Sequence, residues 1–345
     1  MVQEEQGESV KNAFGIFVLT ALSVVLGGVE SCAKPENDFP DLTTEEAVLV
    51  PDTTVIFFPP QADPQQPEID LDGKLTVTPY AELNYRHQSA AVYGDYAFLV
   101  LEGRSAIRMY DMVRKTKVYT LSLTGGDRSV YHSNQCTFGV ERYEPSDTFP
   151  LLYISQRVKS GKRCFTEVFR IVPLYNADST ALLAFRTELV QEIFFPPMSE
   201  ANSMGNVNCV IDGTTGWMYT YSRNNNSGDR NYQQCKRSRF AIPDIHQKEV
   251  FLEDTDIESS FLIDTKANNM QGGCVMNGKL YIGQGYPNAN YVYLNVVDLR
   301  EERLVKRYDL LAKGVDWEPE GCFQYDGNVM LSYTGGISRI IEEEE

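Results

Sequence analysis

The stretch that decides the fold is Gln271–Tyr281, which reads QGGCVMNGKLY. The same order of residues recurs in Glu320–Met330, EGCFQYDGNVM, and more loosely in Gln88–Phe98, QSAAVYGDYAF. Each copy combines a polar residue, small residues, a short apolar strand, a two-residue turn rich in Asn, Asp and Gly, and a second apolar strand, and so predicts a β-hairpin. A small sheet that repeats along one chain is typical of a β-propeller.

Outward from these hairpins, the chain from about Leu75 onward divides into five sheet units. The last unit lacks a fourth strand, whereas Leu75–Tyr80 is a strand pattern that belongs to no unit. We therefore predict an all-β propeller of five blades with four antiparallel strands each, closed by the N-terminal strand, because this arrangement leaves no open edge in the ring. The long section 172–205 has room for further strands, so six or more blades stay open at this point.

The composition is that of a globular protein, with 42% hydrophobic residues in 345, and the formal net charge is -17. Phosphate backbones are bound by clustered Lys and Arg, so this charge disfavours nucleic acid as a partner. The chain has no GxSxG, no P-loop and no His/Cys spacing typical of a metal site. No local motif therefore assigns a specific activity.

The N-terminal region reads as a leader. An apolar run, Ala13–Leu26, follows Lys11 and precedes Cys32, as in a secretory signal peptide. Cys32 after Ser31 resembles the lipobox of bacterial lipoproteins, although Glu30 departs from that pattern and leaves an ordinary signal peptide open. We predict a signal peptide with lipobox over 1–32, a Pro-rich acidic tether over 33–74 and the propeller over 75–345.

The segment Glu318–Gly321, EPEG, stands directly before an inner strand of the last unit. It resembles the same tetrapeptide in several propeller groups, among them bacterial glutaminyl cyclotransferases and lactonase-like proteins. With the lipobox-like Cys32, the chain is similar to the five-bladed propeller lipoproteins of the Bacteroidota, over roughly residues 75–341 as architecture. This resemblance implies a protein of the cell envelope that a lipid anchor at Cys32 attaches to a membrane. The expected membrane is the outer membrane, with the domain facing the periplasm or the cell surface.

In a propeller, the residues at the starts of the inner strands converge on one mouth of the central channel. Amides, imidazoles and a carboxylate pair at these positions suit a glycan or a peptide, and with carbonyl oxygens they suit Ca²⁺, the one cofactor we consider. Such groups also bind one another and channel waters, which leaves a purely structural role open. The candidate ligand-binding residues are His87, Gln88, Asn134, Asn206, Asn208, Asn269, Gln271 and Glu320.

Three functions are compatible with this mouth, and we expect a binding protein rather than an enzyme. The first is an envelope-anchored lipoprotein that binds a glycan, a peptide or an envelope protein. The second is a secreted hydrolase or cyclotransferase that uses His132, Glu318 and Glu320 in acid–base chemistry. The third is a structural scaffold of an envelope complex. An ordinary glycosidase is disfavoured, because Glu318 and Glu320 come from one blade rather than from opposite sides of a substrate.

The positions of the cysteines and of Trp317 along the chain predict how these residues are used. Cys136, Cys209, Cys274 and Cys322 occupy similar positions of four inner strands, which favours free, buried thiols used as small packing residues. Cys164 and Cys235 lie on later strands and are a candidate disulfide, since secretion permits one. Trp317 is either a core residue or, with Tyr286, an aromatic platform at the rim of the mouth.

Overall fold

The computed structural model describes residues 74–102, 106–125, 133, 135–156, 163–177, 181–196, 207–224, 234–264, 270–285 and 291–342. The predicted signal peptide, the tether and the lipidation residue Cys32 lie outside the described residues. Within the described ranges, no helix has the length and apolarity needed to cross a membrane.

The described residues form strands joined by turns and two short 3-10 helices, Asp254–Asp256 and Leu311–Lys313. In chain order the strands are β1 (Leu75–Glu82), β2 (His87–Tyr93), β3 (Tyr96–Leu101), β4 (Ala106–Asp111), β5 (Thr116–Ser122), β6 (Gln135–Phe138), β7 (Leu152–Gln156), β8 (Phe165–Tyr175), β9 (Leu182–Phe194), β10 (Val207–Ile211), β11 (Met218–Asn224), β12 (Gln234–Phe240), β13 (Glu249–Phe251), β14 (Ser259–Asp264), β15 (Met270–Met276), β16 (Lys279–Gly285), β17 (Val292–Asp298), β18 (Arg303–Asp309), β19 (Gly321–Tyr325), β20 (Asn328–Tyr333) and β21 (Gly336–Glu342).

The strands form five sheets, and each sheet is one blade of a propeller. Blade 1 is β2-β3-β4-β5, blade 2 is β6-β7-β8-β9, blade 3 is β10-β11-β12-β14, blade 4 is β15-β16-β17-β18, and blade 5 is β19-β20-β21-β1. The predicted five-bladed all-β fold is confirmed. The described residues of section 172–205 contribute the end of β8 and all of β9, the third and fourth strands of blade 2.

The ring closes as the sequence predicted. β1 pairs antiparallel with β21, from Leu75 opposite Glu342 to Glu82 opposite Gly336. The first and last described strands therefore share blade 5, and closure protects edges that an open sheet would expose.

The repeated hairpins carry the predicted turns. Asn277 and Gly278 have φ values of 53° and 71°, and Asp326 and Gly327 have 50° and 71°. Two successive positive φ values define a type I′ turn, whose twist matches that of the flanking strands. Asn, Asp and Gly tolerate this region best, which is why the dipeptides marked the hairpins in the sequence.

Blade 2 carries an extra strand that the sequence did not indicate. The connection from β12 to β14 of blade 3 contains β13, which pairs in parallel with β9. The Gln191 amide donates to the main-chain oxygens of Asp244 and Gln247 at 2.7 and 2.9 Å, and Phe251 stacks on Phe194 with ring centroids 4.6 Å apart. Blade 3 thereby covers the outer edge of blade 2.

The inner strands β2, β6, β10, β15 and β19 surround the central axis, each in contact with the inner strands on both sides. Their first residues lie at one face of the ring, which we call the mouth face. Small residues allow the close approach, since a Cβ on Gly321 would lie 2.8 Å from the main-chain nitrogen of Ala90. The antiparallel topology also brings the ends of the second strands, such as Leu101 of β3, to the mouth face.

Candidate functional site

Four inner-strand starts place polar side chains together at the mouth face. Hydrogen bonds between blades link the members of this set, which we call the mouth cluster. It consists of Gln88, Asn208, Gln271, Glu318 and Glu320, all predicted from the sequence. Gln88, Asn208, Gln271 and Glu320 are buried, whereas Glu318 is partly exposed.

A tight turn brings the two carboxyl groups of the cluster to one place. The main-chain N–H of Glu320 donates to the main-chain oxygen of Glu318 at 3.0 Å, which closes a three-residue turn around Pro319. Proline suits the central position of such a turn because its ring fixes φ near −65°. The side chains of Glu318 and Glu320 hydrogen-bond each other.

Amides from two other blades contact this carboxyl pair. Gln88 of blade 1 donates from Nε2 to Oε1 of Glu320 at 3.4 Å. Gln271 of blade 4 donates from Nε2 to Oε1 of Glu318 and to the main-chain oxygen of Gly285, the latter at 3.1 Å. An amide carries no charge, so these contacts do not neutralise an ionised carboxylate.

Burial and mutual repulsion therefore keep protons on the pair. Burial, followed by the charges of Glu318 and Glu102, raises the pKa of Glu320 to about 9. Burial and the charge of Glu102 raise the pKa of Glu318 to about 7. Two carboxyl groups this close do not ionise together at neutral pH, so one of them stays an acid while the other is available as an acceptor.

Glu102 and Arg86 are neighbours of the pair that the sequence reasoning missed. Glu102 follows β3, and its carboxylate lies 3.8 Å from the guanidinium of Arg86, with both side chains substantially exposed. The predicted positions were the starts of inner strands, whereas the ends of second strands reach the same face. That topological rule was the signal that could have found Glu102.

Beneath the mouth cluster, a glutamine bridges the channel between blades that are not neighbours. Gln135 of blade 2 donates from Nε2 to the main-chain oxygen of Gly273 in blade 4 at 2.8 Å and accepts the Gly273 N–H at 2.7 Å. The Tyr221 hydroxyl donates to the main-chain oxygen of Gln271 at 2.7 Å. Gly273 must be a glycine here, because a Cβ would lie 2.7 Å from the Tyr221 hydroxyl oxygen.

Asn208 lies beside this bridge. Its Nδ2 donates to the main-chain oxygen of Gln271 at 3.3 Å, while its buried Oδ1 has no hydrogen-bond partner among the described residues. An unpaired buried acceptor costs free energy unless a water or ligand donates to it. Asn208 is 1% exposed, which leaves this oxygen little surface to contact a ligand.

His87, also predicted to bind ligand, has no exposed surface. Neither ring nitrogen has a hydrogen-bond partner among the described residues, and the ring packs edge-on to Tyr85 with centroids 6.4 Å apart. Burial lowers the pKa of His87 to about 4, so the imidazole is neutral at neutral pH. The sequence placed His87 at the right strand start, but burial leaves it no surface to contact a ligand.

The remaining predicted site residues lie outside the described residues: His132, Asn134, Asn206 and Asn269, together with Tyr286. Trp317 is described and half-buried. It stacks on Tyr333 with centroids 3.3 Å apart and packs against the core between blades 4 and 5. One face of its indole is thus covered by Tyr333.

A Ca²⁺ site was also expected from the sequence. Within the described ranges, no group of three or more His, Cys, Asp and Glu side chains could hold a metal ion, and the Ca²⁺ expectation stays a prediction.

Cys164 packs between blades 2 and 3, whereas Cys235 packs between blades 3 and 4, so the disulfide considered between them is wrong. The inner-strand cysteines are buried, as predicted.

No protein-family model matches this chain, and no curated protein matches it. Among solved structures, the chain is similar to a glutaminyl cyclase from Myxococcus xanthus at 9% identity and a TM-score of 0.40, over 77% of this chain and 93% of that one. A luciferin-regenerating enzyme has 10% identity and a TM-score of 0.35, over 75% and 73% of the two chains. Hydrazine synthase from Kuenenia stuttgartiensis has 9% identity and a TM-score of 0.38, over 74% and 84%. These distant similarities carry no argument about activity.

Proposed function

We propose that this protein binds a glycan or a peptide at the mouth face of its propeller, as a lipid-anchored protein of the cell envelope. The observation that carries the proposal is the hydrogen-bonded pair of the partly exposed Glu318 and the buried Glu320, which Gln88 and Gln271 contact from two other blades. Among the described residues, no cation forms an ion pair with either carboxyl group. Three blades thus converge on one carboxyl pair.

The cost of this arrangement supports a functional role. A carboxyl group whose pKa is raised in the folded state is more easily ionised in the unfolded chain, so the pair lowers stability at neutral pH. An apolar or amide side chain at position 320 would avoid that cost. Strongly shifted carboxyl groups that lie together in a cleft are typical of binding and catalytic sites.

The chemistry of the cluster indicates what kind of ligand fits. Its free groups are chiefly acceptors, namely the carboxylate oxygens, because the amide donors of Gln88 and Gln271 already bond within the cluster. A ligand must therefore supply donors, as sugar hydroxyls, peptide N–H groups and ammonium groups do. The net charge of -17 disfavours an anionic ligand.

The topology suits attachment through the N-terminus. β1 begins at Leu75, opposite Glu342 of β21, and ends at the mouth face. The chain that precedes Leu75 therefore joins the propeller at the face away from Glu318 and Glu320. Lipidation of Cys32 and location in the outer membrane rest on the leader sequence, and the mass of the processed N-terminus in membrane fractions tests them.

Binding is tested by a thermal-shift screen of the full chain against envelope glycans and short peptides, followed by calorimetry of the hits. We expect at least one ligand to raise the Tm of the wild type, and to have little effect on Glu320→Gln and Glu318→Gln. Glu258→Gln is the matched control, since Glu258 is exposed on the β12–β14 connection. A ligand that stabilises all of these proteins equally would place its site elsewhere and contradict the proposal.

A second candidate function is acid–base catalysis by the same pair. The observation that favours it is the coexistence of a protonated and an ionisable carboxyl group near neutral pH, as general acid–base chemistry requires. His132, the predicted base, lies outside the described residues, so Glu318 and Glu320 alone support this hydrolase or cyclotransferase. Turnover of a bound ligand that Glu320→Gln abolishes would establish catalysis, and binding without turnover would exclude it for that ligand.

The scaffold alternative predicts a different outcome. The bridge from Gln135 to Gly273 spans the channel beneath the mouth, which favours binding of a ligand at the mouth rather than inside the channel. A pure scaffold would retain its partners when Glu320 is replaced. Co-purification of the same envelope proteins with wild type and Glu320→Gln would favour the scaffold.

A further inference from the structure

Two of the buried cysteines are in contact across a blade boundary. The sulfur atoms of Cys274 in β15 and Cys322 in β19 are 3.2 Å apart, and the residues are 7% and 1% exposed. They belong to the inner strands of blades 4 and 5. The structure holds both as thiols.

The backbone beside this pair is equally close. A Cβ on Gly272 would lie 2.6 Å from Cα of Gly321 and 2.8 Å from the main-chain nitrogen of Cys322. The two strands therefore touch without side chains between them at this level. A disulfide needs a sulfur–sulfur distance of about 2.05 Å and Cα atoms roughly 4.4–6.8 Å apart. Only a small movement of the two side chains separates the observed contact from a bond.

The other cysteines have different surroundings. Cys136, at the similar position of β6, directs its sulfur toward the main-chain oxygen of Phe98 at 3.9 Å. Cys164 and Cys235 pack in separate cores, between blades 2 and 3 and between blades 3 and 4. The contact between Cys274 and Cys322 is therefore a property of this blade boundary and not of the repeat.

We propose that Cys274 and Cys322 form a disulfide that covalently ties blade 4 to blade 5 beneath the mouth cluster. Two S–H bonds break and one S–S bond forms. The two protons and two electrons pass to an oxidant of the disulfide class, a thiol-oxidising protein or a small-molecule disulfide, whose S–S bond breaks to give two thiols. The export that the leader predicts would place the chain where such oxidants act.

The surroundings indicate when the bond forms. Burial and the neighbouring Cys274 raise the pKa of Cys322, so the folded protein offers little of the thiolate that thiol–disulfide exchange requires. Oxidation therefore takes place as the chain folds, before blades 4 and 5 close over the sulfurs. Burial then shields the bond from reduction, which makes it a structural cross-link rather than a switch.

The cross-link would also fix the geometry of the mouth cluster. Cys274 follows Gln271 by three residues, and Cys322 follows Glu320 by two. A covalent tie at this level would hold the two strand starts in register, so that Gln271 stays against Glu318. The inference does not depend on the proposed function, because a scaffold would gain the same tie.

Peptide mapping of the full chain tests the bond directly. The protein is refolded with oxidised glutathione, alkylated in denaturant without reductant, digested and analysed by mass spectrometry. We expect one cross-linked peptide pair that contains Cys274 and Cys322, with Cys136 alkylated. Recovery of Cys274 and Cys322 both alkylated would overturn the proposal, and this readout needs no variant.

Variants give a second, independent readout. The Tm of the oxidised wild type should exceed that of the reduced protein by roughly 5–10 °C, the effect expected of a disulfide that closes a long loop in a chain of this size. Cys274→Ser and Cys322→Ser should each abolish this difference, whereas the control Cys136→Ser should keep it. A redox-dependent Tm that survives in Cys274→Ser would contradict the assignment.

Discussion

Two carboxylates of this propeller, Asp147 and Glu320, are both buried but are treated in opposite ways. Asp147, in the connection between β6 and β7, accepts two hydrogen bonds from the guanidinium of Arg170, at 2.8 and 2.6 Å. Among the described residues, Glu320 has hydrogen bonds from the Gln88 amide at 3.4 Å and with the side chain of Glu318, and the charge of Arg86 acts on it without a direct ion pair. At Asp147 the ionised carboxylate is paired with a guanidinium and holds a loop in place, whereas Glu320 keeps its proton at neutral pH and lowers stability there, because the same group ionises more easily in the unfolded chain. The difference supports the proposal that Glu320 serves a ligand rather than the fold.

The largest expected effect comes from breaking the matched pair. Asp147→Asn removes the charge but keeps the size, and leaves the Arg170 guanidinium with its longer contact to Glu188, at 3.5 Å. We expect a loss of about 3 kcal/mol in the free energy of unfolding, because two hydrogen bonds to a charged group are weakened. Urea unfolding measures this. Ligand binding at the mouth face should be unaffected, and a loss below about 1 kcal/mol would mean that the pair matters little.

The same chemical change at the unmatched carboxyl should have the opposite sign. The pKa of Glu320 is raised to about 9 in the folded protein, against about 4.3 in an unfolded chain. The contribution of this carboxyl group to the free energy of unfolding is therefore greatest below pH 4.3 and is lost as the pH rises toward 9. Because Gln has no proton to lose, Glu320→Gln should gain about 2–3 kcal/mol at pH 8 relative to wild type, and clearly less at pH 5.

Urea unfolding at the two pH values checks this gain, and calorimetry with a hit from the ligand screen checks the accompanying loss of binding. Stability and binding should move in opposite directions, as at other sites that trade one for the other. A Glu320→Gln protein that is destabilised at pH 8 would remove the contrast with Asp147.

His87 is a buried group that has no hydrogen-bond partner among the described residues and is neutral at neutral pH. Its pKa is about 4 in the folded protein and about 6.5 in an unfolded chain, so the unfolded state takes up the proton first as the pH falls. Stability from this group is full above pH 6.5 and declines toward pH 4. Between pH 7 and pH 5 the wild type should lose about 2 kcal/mol more than His87→Gln does. If the free energy of unfolding of the two proteins changes with pH in the same way, His87 has a hydrogen-bond partner in solution and this prediction is wrong.

The smallest effect is expected at an exposed pair. Glu301 lies 2.5 Å from Arg303, and half of its side chain is exposed. Exposed ion pairs contribute little because water and salt screen them. Glu301→Gln should change the free energy of unfolding by less than about 0.5 kcal/mol at any pH between 5 and 8. A change as large as that of Asp147→Asn would show that the difference in burial between Glu301 and Asp147 does not determine how much each carboxylate stabilises the fold.

Much of the fold could be predicted because its signals are local and repeated. The turns at Asn277 and Asp326 mark hairpins by backbone chemistry alone, and the unpaired pattern at Leu75–Tyr80 has only one place in a closed ring. β13 could not be predicted, because three residues carry no periodicity and their pairing with β9 depends on a contact between blades.

The site was predictable in position but not in chemistry. Strand starts identified Gln88, Gln271 and Glu320, since topology alone brings them to one face. The burial of His87 and the bridge from Gln135 depend on how closely five inner strands approach, which sequence spacing does not encode.

The account rests on a proton that the mouth cluster retains at neutral pH, and infrared difference spectroscopy observes it directly. The spectrum of wild type minus Glu320→Gln at pH 7 should contain the C=O stretch of a protonated carboxyl group, and this band should fade as the pH is raised past 9. Addition of a bound ligand should shift it. A difference spectrum at pH 7 that contains only carboxylate bands would show that Glu320 is ionised like an ordinary surface residue, and would contradict the assignment of this face as the binding site.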